Sequence, residues 1–323
     1  MLMTFDKASK LIADGRLLHI AGTETLLKRL PKGNWVGGTT EYFMVREGCK
    51  VSGSLLFVTE FSHENFSIRS YAGHEIGRVA ADAFDNGYSI VIVPFDSEVH
   101  KEYAQNAAGF EGMFLKNIAG WVAGANLGEP GQTPATVNGS TGEACSDKAV
   151  ALHLEVPPDQ TVCVNIVNIF AQDESSPVIS FPEEGFSADR CLIDGQEVSF
   201  ADYLTQNGVD TKLPLVGDYS GSGVNISIKS VENGVVQFYA PVFSGIQYRM
   251  ARGISDYAKA FNSRLAGHTD ADAVFSCNCI LNFLYGELEG KRIEAFSGPI
   301  TFGEIAYQLV NQTLVYVTVS RPE

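Results

Sequence analysis

A glycine-hinged strand pattern recurs three times along this 323-residue chain and constrains its fold more than any other feature. In each occurrence an apolar segment reaches small residues and a loop, and a strand-like run returns further along. The hinge segments are residues 34–41, 120–126 and 296–304, and the returning runs are residues 54–59, 150–155 and 314–318. Glycine lets a backbone or a ligand approach where a Cβ would collide. Such recurrence predicts sheets assembled from repeated units.

Helical and strand-like segments alternate ahead of the second and third hinges. Residues 88–93 form an apolar run typical of a buried strand, and residues 98–108 follow with helical spacing. Residues 254–265 and 273–277 repeat this content as a helix and a strand. We therefore predict a mixed α/β fold of two related halves, built from repeated helix–strand–hinged strand units with mixed sheets flanked by helices.

The domain boundary is predicted near residues 172–177, where polarity rises and a proline ends the stretch. This gives domains of residues 1–173 and 177–323. The segment just after the boundary differs from the repeats. There, Asn233-Gly234 predicts a hairpin turn, and Ser199 with Asp202 three residues later predicts the start of a short helix.

Charge and hydropathy exclude several classes of partner. The chain carries 38 acidic against 23 basic residues, for a net charge of −15. An acidic surface repels phosphate backbones and anionic lipids, so we expect neither nucleic acid nor membrane as a partner. The longest apolar runs are of strand length, and charged residues interrupt the first 22 positions, so we expect a cytoplasmic protein without a signal peptide.

Four stretches of the chain resemble the FIST domain, a two-part cytoplasmic sensory module of bacterial signalling proteins. Together they span nearly the whole sequence in the family's order. They are the segments Val36–Thr40 with Val122–Gly124, Asp194-Gly195 with Ala201–Leu204, Phe275–Asn278, and Phe296–Gly298 with Phe302–Ile305. The chain departs from the family at Cys279-Ile280, where the family often has Gly and Arg. The resemblance implies an N-terminal and a C-terminal FIST-like part and binding of a small ligand such as an amino acid.

The hinges carry the candidate binding residues. Glu41 and Glu304 stand in matching repeats, so two carboxylates facing one cleft would bind an amine or perform acid–base work. Each would equally serve as a cap on a turn or a helix. The remaining candidates at the hinges and the cysteine strand supply hydroxyl, amide and thiol groups, and they are Thr39, Thr40, Asn126, Cys277 and Asn278.

The six cysteines are widely spaced and mostly sit among apolar residues, which is typical of reduced thiols rather than a disulfide framework. Cys277 and Cys279 are two apart on a strand run, so both thiols point to the same face. Apolar packing, pocket lining, a metal ligand and a nucleophile all stay open for this pair. A zinc site needs two more ligands, and none follows at a recognisable spacing. We expect no metal and no cofactor.

These features predict a non-catalytic sensory protein that binds a small polar ligand and signals to a partner protein in trans. The first alternative is an enzyme that uses Cys277 as a nucleophile or Glu304 as a general base. The second is a structural or interaction module that has kept the fold without a ligand.

Overall fold

A computed structural model gives the structure of residues 1–129, 131–219, 221–266, 273–293 and 296–321. The predicted mixed α/β class is confirmed, because several mixed sheets are flanked by a few helices. The predicted repetition is confirmed as well. Three units share one order of elements, and each ends on the returning strand of the pattern.

The first unit opens with a short strand and an amphipathic helix. Phe5, Ala8, Leu11 and Ile12 stand at helical spacing, which predicts an amphipathic helix at the start of the chain, and the observed helix buries Ala8 and Ile12. A fully buried strand follows, which the sequence prediction lacks. The elements are β1 (Leu2–Met3), α1 (Phe5–Ala13), β2 (Leu17–Gly22), α2 (Glu24–Leu27), β3 (Trp35–Thr39), β4 (Tyr42–Met44), β5 (Lys50–Val51) and β6 (Leu56–Phe61).

The second unit repeats this order with longer strands. Its second helix begins at Ser97, whose hydroxyl accepts a hydrogen bond from the backbone N–H of His100. Its elements are β7 (Phe66–Tyr71), a 3₁₀ helix (Gly73–Val79), β8 (Gly87–Pro94), α3 (Glu98–Asn106), two 3₁₀ turns (Ala107–Gly109 and Met113–Leu115), β9 (Asn117–Ala123), β10 (Thr136–Asn138), β11 (Glu143–Cys145) and β12 (Ala149–Glu155).

The third unit begins with β13 (Thr161–Asn168) and is then interrupted by an insertion that forms two sheets of its own. The predicted turn at Asn233-Gly234 and the predicted cap at Ser199 are both present. The elements of the insertion are β14 (Ile179–Ser180), β15 (Gly185–Ala188), β16 (Arg190–Ile193), β17 (Gln196–Ser199), α4 (Phe200–Gln206), β18 (Leu215–Tyr219), β19 (Ser222–Ile226), β20 (Ile228–Glu232), β21 (Val235–Val242) and β22 (Tyr248–Met250). The third unit resumes with α5 (Tyr257–Leu265), β23 (Ala273–Cys279), α6 (Ile280–Tyr285), β24 (Gly298–Thr301), β25 (Glu304–Ala306), β26 (Gln308–Val310) and β27 (Thr313–Ser320).

The three units build three six-stranded sheets with one common strand order. The orders are β1-β6-β2-β3-β10-β11, β7-β12-β8-β9-β25-β26 and β13-β27-β23-β24-β4-β5. In each sheet the third and fourth strands are parallel and the helix between them makes the crossover. The last two strands of each sheet come from a different unit, so the units exchange strands cyclically.

This exchange joins sequence regions that lie far apart. The pairs β4–β24, β9–β25 and β13–β27 each combine a strand before residue 173 with one after residue 177. The division into domains of residues 1–173 and 177–323 stays a prediction.

The core between the three sheets takes side chains from every unit. Trp121 of the second unit donates its indole N–H to His19 of the first over 2.8 Å, and the His19 ring packs edge-on against Phe275 of the third. Burial lowers the pKa of His19 to about 3, so the ring is neutral at physiological pH. Among the described residues, no helix has both the length and the apolarity needed to cross a bilayer.

Candidate functional site

The units meet at three equivalent junctions, each at the carboxyl ends of a parallel strand pair. Junction 1 joins the ends of β2 and β3 to the linker of residues 124–135. Junction 2 joins the ends of β8 and β9 to residues 302–303, and junction 3 joins the ends of β23 and β24 to residues 40–41. Ligands in α/β sheets commonly bind outside the carboxyl ends of parallel strands, so a binding site is expected at one of these junctions.

Junction 1 contains a pocket of about 110 Å³. Four of the candidate residues predicted from the sequence lie together there, namely Thr39, Thr40, Glu41 and Asn126. Residues 23–25, at the turn from β2 into α2, and residues 132–133 of the long linker complete the lining. The pocket exists at this junction because the linker between β9 and β10 is much longer than its two-residue counterparts.

The carboxylate of Glu41 is the chemically distinctive group of the pocket. The residue is only 7% exposed, and its Oε2 accepts a hydrogen bond from Nδ2 of Asn126 at 3.0 Å. Within the described part of the chain, Oε1 of Glu41 has no hydrogen-bond partner. A buried carboxylate with a single donor is poorly compensated for the water it has lost. A positively charged group in the pocket would supply that compensation.

Asn126 and Tyr42 fix the position of this carboxylate. Oδ1 of Asn126 accepts from the backbone N–H of Gly128 at 2.8 Å, which leaves Nδ2 directed at Glu41. The Tyr42 hydroxyl accepts from the backbone N–H of Leu127 at 3.0 Å. Burial, with a smaller contribution from the charge of Glu41, raises the pKa of Tyr42, so its hydroxyl stays protonated.

The hydroxyls of Thr39 and Thr40 hold the junction together instead of facing a ligand as free donors. Thr39 donates to the carbonyl of Gly124 at 2.6 Å and accepts from the N–H of Ala135 at 2.9 Å. Thr40 donates to the carbonyl of Ile300 at 2.7 Å. Their side chains therefore join the first unit to the second and the third.

Aromatic side chains occupy the other two junctions. At junction 2, Phe302 lies over Gly124 so closely that an added Cβ would come within 1.8 Å of its ring, and Phe95 packs beside it at 6.1 Å between centroids. At junction 3, the ring of Tyr42 meets Phe283 of α6 edge-on at 5.4 Å. The equivalent positions are thus packed where junction 1 is open and polar.

Glu304 lies inside the core and not in this pocket. Glu304 is the first residue of β25, where it pairs with Trp121 of β9, whereas Glu41 lies in the two-residue link between β3 and β4. The two carboxyl groups therefore contact different residues, Asn126 in the case of Glu41 and Thr301 and Thr313 in the case of Glu304.

The carboxyl group of Glu304 is fully buried and surrounded by donors. Thr313 donates its N–H and its hydroxyl to Oε2 at 3.3 and 2.8 Å, and the Thr301 hydroxyl lies 3.2 Å from Oε1. Burial raises the pKa of Glu304 to about 8, with these hydrogen bonds opposing the shift. Glu304 therefore carries a proton at neutral pH and joins β25, β24 and β27.

Cys277 and Asn278 are buried on β23 beside Glu304. The Cys277 thiol contacts the carbonyl of Gly120 at 3.5 Å, and burial together with the nearby Glu304 raises its pKa well above the usual range. Oδ1 of Asn278 accepts from Nδ2 of Asn282 at 2.9 Å. Among the described residues, no group of histidines, cysteines and carboxylates is arranged to hold a metal ion. All six cysteines are free thiols.

Comparison with known proteins assigns a family. A family model described only as a family of unknown function (DUF6976) matches residues 3–320. The chain belongs to this family. No curated protein matches it. The resemblance to the FIST domain stays a prediction.

Sequence reasoning misses part of the pocket. Thr23, Thr25, Gln132 and Thr133 line it, and Tyr42 supports it from behind. The signal for Thr23 is the apolar run of β2, since the residue that follows a buried strand and precedes a helix is a common N-cap. Its hydroxyl indeed accepts from the backbone N–H of Leu26 at 3.3 Å.

Proposed function

We propose that this protein binds a small polar ligand bearing a positive charge in the pocket at junction 1, with Glu41 as the anchor. The observation that carries the proposal is the buried carboxylate of Glu41, which has one side-chain donor and lines a cavity together with hydroxyl and amide side chains. The two equivalent junctions support it, because the same architecture is filled with aromatic rings where no pocket is kept.

We propose further that binding of this ligand serves a sensory role. The expectation of a cytoplasmic location comes from the sequence and from the FIST resemblance, and those of a signalling partner in trans and an amino acid among the ligand classes come from the resemblance. The enzyme alternative is less favoured, because Cys277 and Glu304 are both fully buried and the thiol is held protonated. A structural module without a ligand is the remaining alternative.

A thermal-shift screen tests the proposal. Inorganic cations, simple amines and amino acids are added to the wild type, to Glu41→Gln, and to Glu47→Gln as a control that removes an exposed carboxylate elsewhere. A ligand that binds only the folded state raises Tm with its concentration. We expect a cationic compound to raise Tm of the wild type and of Glu47→Gln but not of Glu41→Gln.

Two other results would decide against the proposal. Unchanged Tm with every cationic compound favours the structural module. If mass spectrometry shows that a compound that binds is chemically converted, the result favours the enzyme alternative.

A further inference from the structure

We propose that the ligand of junction 1 is a small primary amine that carries no carboxylate, and not a zwitterionic amino acid. This inference rests on the proposed function and narrows it to one chemical class. Three properties of the pocket support the narrower class: its charge, its hydrogen-bonding groups and its size.

The charge of the lining accepts an ammonium group and rejects a carboxylate. Glu41 and Glu24 both line the pocket, and no lysine, arginine or histidine is among its described lining residues. Glu24 already pairs with Lys28 at 2.5 Å, so Lys28 is engaged outside the pocket. The α-carboxylate of an amino acid would lose water next to Glu41 with no cation to meet it, which is unfavourable.

The hydrogen-bonding groups also match an ammonium group. Such a group has three N–H donors and no acceptor. Oε1 of Glu41 has no partner among the described residues, and Thr25 and Thr133, whose hydroxyls can accept hydrogen bonds, line the same pocket. Several donors that a carboxylate would need are already used, since the Thr39 and Thr40 hydroxyls donate to backbone carbonyls and Nδ2 of Asn126 donates to Glu41.

The size of the pocket limits the ligand to a few heavy atoms. Sites for drug-sized molecules span roughly 300–1,000 Å³. The pocket at junction 1 has about 110 Å³. Ethylamine and ethanolamine are therefore suitable probes, and glycine is the matched zwitterion because it is similar in size.

Isothermal titration calorimetry at pH 7 separates the classes. Ethylamine, ethanolamine, glycine and potassium chloride are titrated into the wild type, Glu41→Gln and the control Glu47→Gln. We expect both amines to bind the wild type and Glu47→Gln, and glycine to bind at least about tenfold more weakly, a difference of about 1.4 kcal/mol. Glu41→Gln should weaken amine binding by about tenfold or more, because it removes a charge-assisted hydrogen bond.

A second variant keeps the test valid if Glu41→Gln folds poorly. Thr25 is exposed at the pocket rim, so Thr25→Lys is expected to fold and to bring an ammonium group of the chain itself to the carboxylate. Amine binding should then be lost while the melting curve stays cooperative.

The possible failures are distinguishable. Glycine binding as tightly as the amines, with loss in Glu41→Gln, overturns the amine class and leaves the proposed function in place. Binding of potassium without binding of either amine also overturns the amine class and leaves the proposed function in place. If the amines, glycine and potassium all fail to bind the wild type, both proposals are overturned. Both are also overturned if amine binding survives in Glu41→Gln and in Thr25→Lys.

Discussion

Glu41 and Glu304 are both buried carboxyl groups at the hinges, yet their surroundings differ. Glu304 is fully buried, receives hydrogen bonds from Thr313 and contacts Thr301, and has a pKa raised to about 8. Glu41 has a single side-chain donor, Asn126, and borders a cavity. The carboxyl oxygens of Glu304 thus have their hydrogen-bond partners within the protein, whereas Oε1 of Glu41 has no partner among the described residues.

The contrast shows how to separate a structural carboxyl group from a binding one. A buried acid whose donors come from strands of a neighbouring sheet, as those of Glu304 do, stabilises the fold. A buried acid with one donor beside a pocket keeps an acceptor available, as the proposed binding requires. Residue type and position in a repeat do not make this distinction, because both groups are glutamates at a hinge.

Removing each carboxyl group should give the largest difference between the two sites. We expect Glu304→Ala to lower the free energy of unfolding by about 3 kcal/mol or more, because it leaves a cavity and buried donors without partners. Glu41→Ala should cost about 1 kcal/mol, since it breaks one hydrogen bond at a pocket. Urea denaturation measures both, and equal losses would contradict the comparison.

Two glycine-to-alanine variants, each adding one methyl group, compare the aromatic-filled junction 2 with the pocket at junction 1. In Gly124→Ala the Cβ would lie 1.8 Å from the Phe302 ring, so we expect a loss of about 2 kcal/mol from overpacking. In Gly53→Ala the nearest atom is Oε2 of Glu41 at 3.1 Å, at the end of a flexible side chain. That variant should stay within about 0.5 kcal/mol of the wild type. Thermal and urea unfolding check the order, and a larger loss in Gly53→Ala would reverse it.

The pH dependence of stability should report Glu304. Its folded pKa of about 8 lies above the ordinary value of 4.5, so the folded state holds the proton more tightly. Between these values the wild type should lose stability relative to Glu304→Gln as pH rises, by up to about 1.4 kcal/mol per pH unit. Below pH 4.5 and above pH 8 the difference should be constant.

Buried histidines do not disturb this test. The pKa of His19, His100 and His153 is lowered by burial, and these groups titrate in both proteins, so they cancel in the difference. A difference that is flat from pH 4.5 to 8 would show that Glu304 is ionised in the folded state.

Replacing Asn126 should have only a small effect on stability. Asn126→Ala removes the half-buried donor to Glu41, so we expect a loss of about 1 kcal/mol or less in urea denaturation. Amine binding should persist or tighten in calorimetry, because the carboxylate then depends more on the ligand. Loss of amine binding together with unchanged stability would assign the ligand contact to Asn126 and not to Glu41.

The sequence predicts the repeated elements well because their signals are local. The amphipathic spacing of Phe5 to Ile12, the cap at Ser199 and the glycine hinges all report on neighbouring residues. The strand Leu17–Gly22 is missed because its apolar run reads as a continuation of the first helix.

The site is predicted only in part because its assembly is long-range. Thr39, Thr40, Glu41 and Asn126 meet through contacts between residues about 85 positions apart, which no local pattern encodes. Whether Glu41 and Glu304 share a cleft depends equally on distant residues, and the structure surrounds Glu304 with Thr301 and Thr313 and gives Glu41 the partner Asn126. The FIST resemblance, the domain division and the sensory role stay predictions.

The central claim is that Glu41 holds an amine at junction 1, and a crystal structure of the wild type soaked in ethylamine tests it most directly. We expect electron density for the amine in the pocket, with its nitrogen about 2.8 Å from Oε1 of Glu41. Water alone in the pocket at a soaking concentration well above the measured Kd, or the amine bound elsewhere on the chain, would contradict the claim.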